Sequence, residues 1–265
     1  MEIFTLLKKF KNSEIDIVEL EKELRLTYLS VDSTARLDIH RAKRTGIPEA
    51  ILAEGKTMED LKKIAYHQLQ RTGRCLITRV TPAQRKALGE LIEEEEIPHT
   101  WSEEARTMQL HYRETTKTGG KLGIITAGTS DIPVAEEARV IAEEMGCEAY
   151  TLYDAGVAGI HRLFPDLQQM IEEGVDAIVV AAGREGTLPA IIAGLVEPPV
   201  IGVPVSTGYG EGGRGRAALL SMLQSCSVLS VVNIDAGFTA GAFAAQIANK
   251  IARARKTREA KSPKT

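Results

Sequence analysis

Long apolar runs are missing from this sequence. No stretch of about 18 uninterrupted apolar residues exists, so no helix is expected to span a membrane. The opening MEIFTLLKKFKNSEID starts apolar but lacks an extended h-region and a small-residue cleavage site, so neither a leader nor a membrane partner is expected, and the expected location is cytoplasmic. Cysteine is scarce. The three present, Cys75, Cys147 and Cys226, are odd in number and have no CxxC spacing, which argues against a disulfide framework and against a zinc site. Neither sign of charge dominates: a formal net charge of -3, from 33 Lys and Arg against 36 Asp and Glu, offers no basic field for nucleic acid.

What is present divides in two. Residues up to about 115 are rich in charge and poor in glycine, whereas the remainder holds most of the 23 glycines, which sets a boundary near Thr115–Thr118. A chain of 265 residues can give two modest domains a core each. The expected units are a small α+β domain over 1–117, an α/β domain over 118–255 and a basic flexible tail over 256–265. In the first, Ile15–Leu24 and Met58–Gln70 have helical apolar spacing, with Thr57 placed to cap the second. Cys75–Thr81 and Met108–Tyr112 read as strands, and Pro82 as a helix start. Between the helices, Asp38–Glu49 and the following Gly55-Lys56 form cationic turns, either a solvated loop or an arm over a neighbouring site.

The second part repeats one unit. Apolar strands are expected at Leu122–Ala127, Ala149–Tyr153, Ala177–Ala182, Val200–Val205 and Leu229–Ile234. Helices are expected between them at Val134–Met145, Ile160–Glu173, Leu188–Val196 and Ala217–Cys226, and after them at Ala240–Ala254. Runs without polar alternation are buried on both faces, and their alternation with helices predicts an α/β fold with a right-handed, doubly wound parallel sheet. Ligands of such sheets bind beyond the carboxyl ends of the strands. That selects the turns Gly128–Asp131, Asp154–Arg162, Gly183–Thr187, Ser206–Arg216 and Asp235–Gly241.

These turns combine glycines, which let backbone approach a ligand closely, with ionisable groups: His161 and Arg162, Arg184 and Glu185, Arg214 and Arg216. A ligand with anionic groups is expected on this face. Gly128-Thr129-Ser130-Asp131 empties from the first strand just before a helix, so N–H groups and hydroxyls would meet a phosphate there. An ordinary capped βα junction would carry the same residues. Gly210–Gly215 satisfies GxGxxG, with Asp235 about one βα unit later, which makes an NAD-dependent dehydrogenase a rival reading. Against it, Ser206–Tyr209 separates the strand from the first glycine and breaks the tight turn that motif needs. A non-catalytic nucleotide-binding module is a third reading.

The order GTSD, GVAGIHR, AAGREGTLP, GVPVSTGYGEGGRGRAALLSMLQSC and NIDAGFTAGAFAAQIA, with LDIHRAKRTGIPEAILAEGKT upstream, resembles the LarB family of carboxylase/hydrolases of nickel-pincer nucleotide biosynthesis. That family shares a superfamily with PurE, the aminoimidazole ribonucleotide mutase. The resemblance covers nearly the whole chain. The PurE-like pattern AxGGAAHLP is replaced by Ala182-Gly183-Arg184-Glu185-Gly186-Thr187-Leu188-Pro189, which speaks against aminoimidazole chemistry. The resemblance implies a PurE-like, flavodoxin-like three-layer fold and a homo-octamer. It implies nicotinic acid adenine dinucleotide and CO2 or bicarbonate as substrates, magnesium as an activating ion, and no tightly bound organic cofactor. Two reactions are implied: carboxylation of the pyridinium ring at C5, and hydrolysis of the phosphoanhydride to release AMP.

A pyridinium carbon is electron-poor and does not attack CO2 until a nucleophile has added to the ring. Cys226, at the family's matching position, is the expected nucleophile, and Glu185 the expected base for the C5 proton. Cys226 falls late in its expected helix, where the carbonyl end of the dipole disfavours a thiolate, so its activation has to come from elsewhere. Cys75 and Cys147 read as buried packing residues. Gly128, Thr129, Ser130, Gly183 and Arg184 are the expected substrate contacts, with Asp131 as cap or magnesium ligand. His161 and Arg162 are expected at phosphate or carboxylate, and Arg41, Arg44 and Lys56 would contribute from the first domain.

Overall fold

The structure, a computed structural model, describes residues 3–24, 28–31 and 35–261. The chain divides into two compact units, Met1–Trp101 with Thr107–Glu114, and Ser102–Arg106 with Thr115–Thr265.

The first unit begins with α1 (Ile3–Lys11), α2 (Ile17–Leu24), the antiparallel pair β1 (Leu29–Val31) and β2 (Ala35–Leu37), and α3 (Arg41–Thr45). It continues with β3 (Ala50–Leu52), α4 (Met58–Thr72), β4 (Arg74–Thr78), α5 (Pro82–Glu94), β5 (His99–Ser102) and β6 (Thr107–His111). Its four-stranded sheet runs β3-β4-β6-β5, with β3 parallel and β6 antiparallel to β4. Helix α4 starts where Thr57 accepts the N–H of Asp60 at 3.1 Å, a side-chain cap on an otherwise orphan donor. Thr81 and Gln84 cap α5 reciprocally behind Pro82. Leu61, Ile64, Ala65 and Leu69 of α4 share one stripe and pack with Leu88 and Ile92 of α5 over Ile77 and Leu110.

The second unit contains β7 (Lys121–Thr126), α6 (Ile132–Glu144), β8 (Glu148–Leu152), α7 (Leu163–Glu172), β9 (Ala177–Ala182), α8 (Leu188–Ala193), β10 (Val200–Pro204), α9 (Arg216–Leu223), β11 (Ser230–Val231) and α10 (Gly237–Lys261). The sheet is parallel, in the order β11-β10-β9-β7-β8. Every residue of β9 and β10 is buried, as a strand covered on both faces requires. Leu163, Leu167 and Met170 of α7, Leu188 and Ile192 of α8, and Met222 of α9 fill one side of the sheet. Helices α6 and α10 pack on each other and on the strands from the other side. This is the expected PurE-like, three-layer α/β fold.

Four expectations need correction. The last strand, expected over Leu229–Ile234, is only Ser230–Val231, because the chain turns at Asn233 and at Asp235, whose φ is 54°. The helix expected from Ile160 is preceded by a 3-10 turn, Val157–Arg162, in which Gly159 takes a non-helical φ of -133°, so α7 starts at Leu163. The helix expected to reach Cys226 ends at Leu223, leaving Cys226 exposed in the loop beyond. The tail expected to be flexible from 256 is helical through Lys261: its Arg, Lys, Ala and Glu residues favour helix, and Arg255 at its start reaches the buried carboxylate of Asp176 at 2.7 Å. Residues 262–265 lie outside the described residues. Among the described residues no helix is long and apolar enough to cross a membrane.

Candidate functional site

Strands β7 and β9 are neighbours, yet the helices that follow them, α6 and α8, leave to opposite faces of the sheet. The crevice that opens between such diverging connections is where parallel α/β sheets bind ligands. A cavity of about 320 Å³ lies there. Gly128, Ser130 and Asp131 line it from the turn after β7, Gly183–Thr187 from the turn after β9, and Thr207 and Tyr209 from the turn after β10.

Asp131 holds these turns together. Its Oδ2 accepts the N–H of Gly128 at 2.9 Å, and its Oδ1 accepts the N–H of Gly183 at 3.1 Å and the hydroxyl of Thr207 at 3.4 Å. The carboxyl is 3% exposed. Burial pushes its pKa above the ordinary range against the pull of these three donors, and the neighbouring charge of Asp235 pushes the same way.

The turn after β9 is shaped by close packing. Arg184 takes a left-handed φ of 46° and Gly186 one of 64°. A Cβ on Gly186 would stand 2.6 Å from Cα of Ala218 in α9, so only glycine fits. The consequence is that Arg184 and Glu185 project from a fixed backbone, both exposed at the cavity. Cation, carboxylate, hydroxyls and an aromatic ring thus converge beside the amino end of α6. That set suits a ligand with phosphate or carboxylate groups and a planar ring.

Gly128, Ser130, Asp131, Gly183, Arg184 and Glu185 are therefore brought to one rim, and Thr129 lies beside it, exposed and outside the cavity lining. The turn after β8 reaches the cavity through Gly156, Val157 and Ala158, whereas His161 and Arg162, beyond the kink at Gly159, are exposed outside the lining, with Arg162 paired to Asp154 at 2.7 Å. Arg44 and Lys56 belong to the first unit, where Arg44 forms a two-pronged ion pair with Asp38 and Arg41 pairs with Glu49 at 3.1 Å. The cationic segment thus neutralises much of its own charge.

Cys226 lies at the other end of the sheet. Helix α8 starts at the cavity and runs back to Gly194, where an added Cβ would meet Oγ of Ser227 at 3.7 Å. Ser230, soon after Cys226, pairs with Ile201 at the start of β10. Thiol and cavity occupy opposite edges of one sheet. Sequence reasoning placed them together because both belong to the same family pattern, while a helix in between carries the chain away.

Oδ2 of Asp131 accepts one N–H and keeps a lone pair, and among the described residues no three His, Cys, Asp or Glu side chains gather as a metal site. A magnesium ion here would have Asp131 as its carboxylate ligand and would draw the rest from water and substrate phosphate. Gly210–Gly215 do not form a dinucleotide turn: β10 ends at Pro204, and α9 begins only at Arg216. Asp235 spends Oδ1 on the N–H of Ser206 at 2.9 Å.

Gly156, Val157 and Ala158 of the turn after β8, and Thr207 and Tyr209 of the turn after β10, line the cavity without having been among the expected contacts. Both turns were legible as glycine-rich turns at the carboxyl edge, and the signal for the second pair is an aromatic and a hydroxyl among its glycines.

Residues 121–262 match the AIR carboxylase family, and residues 28–113 match the LarB/PurE-like N-terminal domain. An uncharacterised protein of Methanocaldococcus jannaschii is 45% identical over 92% of this chain and 95% of its own length. The N5-carboxyaminoimidazole ribonucleotide mutase of Thermotoga maritima is 33% identical over 48% of this chain and 74% of its own. The mutase of the same name from Pyrococcus horikoshii is 35% identical over 43% and 62%. The chain belongs to the AIR carboxylase family, whose carboxylase- and mutase-type α/β domain it joins to a LarB/PurE-like N-terminal domain.

Proposed function

We propose that this protein carboxylates C5 of the pyridinium ring of nicotinic acid adenine dinucleotide and hydrolyses its phosphoanhydride, giving AMP and pyridinium-3,5-biscarboxylic acid mononucleotide for nickel-pincer nucleotide biosynthesis. The observation that carries the reading is the Gly183-Arg184-Glu185-Gly186 turn at the cavity, which departs from the AxGGAAHLP pattern that the resemblance gives for PurE. The matched mutases also cover only about half of this chain, leaving its N-terminal domain unaccounted for.

A thiolate adds at C4, and the ring becomes a 1,4-dihydropyridine whose C5 is the carbon end of an enamine. C5 attacks CO2, forming the new C–C bond and an iminium at N1. Glu185 takes the C5 proton. The electrons return through N1, the C4–S bond breaks, and the aromatic pyridinium is restored with the thiolate regenerated. Water then attacks phosphorus and the anhydride P–O bond breaks to release AMP.

Glu185 and Cys226 of one chain are too far apart in the fold to act on one ring. A second copy, with its Cys226 edge against the first copy's cavity, would bring them together, and the proposed homo-octamer would provide such contacts. Exposed apolar side chains support this: Leu195 follows the end of α8, and Leu223 and Val228 lie within three residues of Cys226 in the chain. A cavity of about 320 Å³ is at the small end of ligand sites, which suits one half of a dinucleotide with the remainder held outside it.

The test is product analysis after incubation with nicotinic acid adenine dinucleotide and bicarbonate. AMP together with the dicarboxylated mononucleotide is expected. Turnover of aminoimidazole ribonucleotides in place of the dinucleotide would overturn the assignment.

A further inference from the structure

Tyr209 is 78% exposed, yet the face of its ring is occupied. The guanidinium carbon of Arg184 lies 4.4 Å from the ring centroid. The loop that presents the ring is constrained. A Cβ on Gly208 would come within 3.1 Å of the Arg184 nitrogen, so the absence of a side chain lets the two turns lie against each other. Beyond the ring, Gly213 donates its N–H to the Gly210 carbonyl at 3.0 Å and Arg214 donates to Gly208 at 3.4 Å, closing the loop on itself.

A planar cation therefore lies on an aromatic face at the cavity, one residue from the Glu185 carboxylate. At an exposed site such a stack is worth only about 0.5–1 kcal/mol, which a ligand can displace. We propose that Arg184 is a placeholder on Tyr209, and that the planar, cationic pyridinium ring of the substrate takes its position there. This rests on the substrate proposed above. The exchange puts one cation on the ring in place of another, so little is lost. Arg184 is then released to form a charge-assisted pair with the ring's carboxylate, a gain without a matching loss. Stacked on Tyr209, the pyridinium also stands beside Glu185. A neutral dihydropyridine would displace Arg184 from the ring without replacing its charge. Tyr209 is thus a binding residue that selects the oxidised ring.

The test compares dissociation constants for nicotinic acid adenine dinucleotide and its 1,4-dihydro form by calorimetry in CO2-free buffer. The full-length Cys226→Ser protein is used, so that no thiol adduct counts as binding. The oxidised form should bind roughly two- to fivefold tighter, the range of one exposed cation–π contact. Tyr209→Phe should keep that preference and Tyr209→Leu should lose it, with thermal melts confirming that both fold. An unchanged preference in Tyr209→Leu overturns the proposal and leaves the substrate assignment standing. Loss in Tyr209→Phe assigns the effect to the hydroxyl and likewise overturns the ring-face account. If the Cys226→Ser protein binds neither form, the substrate assignment fails, and this inference with it.

Discussion

Gly183 donates its backbone N–H to Oδ1 of Asp131 at 3.1 Å, so the turns after β7 and β9 are clamped by one buried carboxylate. Removing it leaves donors of Gly128 and Gly183 without a partner. Asp131→Ala should therefore lose about 1–3 kcal/mol, the penalty for stranding buried polar groups. Urea denaturation of variant and parent checks this, and a midpoint shift near zero would mean the turns hold their shape without the clamp.

Glu185 is exposed at the cavity and rests on backbone fixed by its neighbours. Glu185→Gln should fold normally, bind nicotinic acid adenine dinucleotide within about twofold of the parent, and lose carboxylation by about 100-fold or more, as expected for a general base. Lost affinity with an intact chemical step would instead make it a positioning residue.

Thiol chemistry should single out one cysteine. Cys75 and Cys147 are buried and Cys226 is exposed. Burial pushes the Cys147 thiol up to about 11, and its Sγ lies 3.4 Å from Oδ1 of Asn249. In the native protein an aromatic disulfide reagent should titrate one thiol quickly, and Cys226→Ser should abolish that phase. Cys147→Ser should leave it intact and lower the melting temperature. A second fast thiol would contradict the burial pattern.

Mixed assemblies test whether one copy supplies Cys226 to another's cavity. Homogeneous Cys226→Ser and Glu185→Gln proteins should each be inactive. Unfolded together and refolded as hybrids, they should recover a fraction of parental carboxylation, because some cavities would pair an intact Glu185 with an intact Cys226. Hybrids as inactive as their components would show that both residues must come from one chain, or that Cys226 acts elsewhere.

Acid stability should depend on Glu136. Burial raises its pKa, but the guanidinium of Arg139, at 2.7 Å from each carboxylate oxygen, and the hydroxyl of Tyr153 more than reverse that and hold it below its ordinary 4.5. A folded value below the unfolded one means the stabilisation is fully present above about pH 4.5 and is lost as pH falls through the lower folded value. Glu136→Gln should thus flatten the acid limb of the stability–pH curve measured by thermal melts. A limb of unchanged steepness would assign the acid sensitivity to other carboxylates.

The sheet was legible because β7, β9 and β10 are apolar without alternation, and only burial on both faces explains that. Turns at their carboxyl ends followed from the same periodicity. Strands β3 and β5 were illegible: one has three residues and the other reads His-Thr-Trp-Ser, so neither offers a period to detect. The position of Cys226 failed for another reason. Its family pattern specifies which residues belong together, whereas which edge of the sheet each reaches depends on where α9 stops, at Leu223. Helix ends set by tertiary contact are poorly marked in sequence.

Helix α10 lies beside α6 against β7, β9 and β10. Those strands leave the ribosome well before it does. Until then an apolar side of the sheet has no α10 to cover it, and a partly made chain exposes surface that nearby nascent chains can bind. Completion of the last helix is therefore the step that commits the second unit to its own core, and premature termination within α10 should yield aggregation rather than a shortened but folded protein.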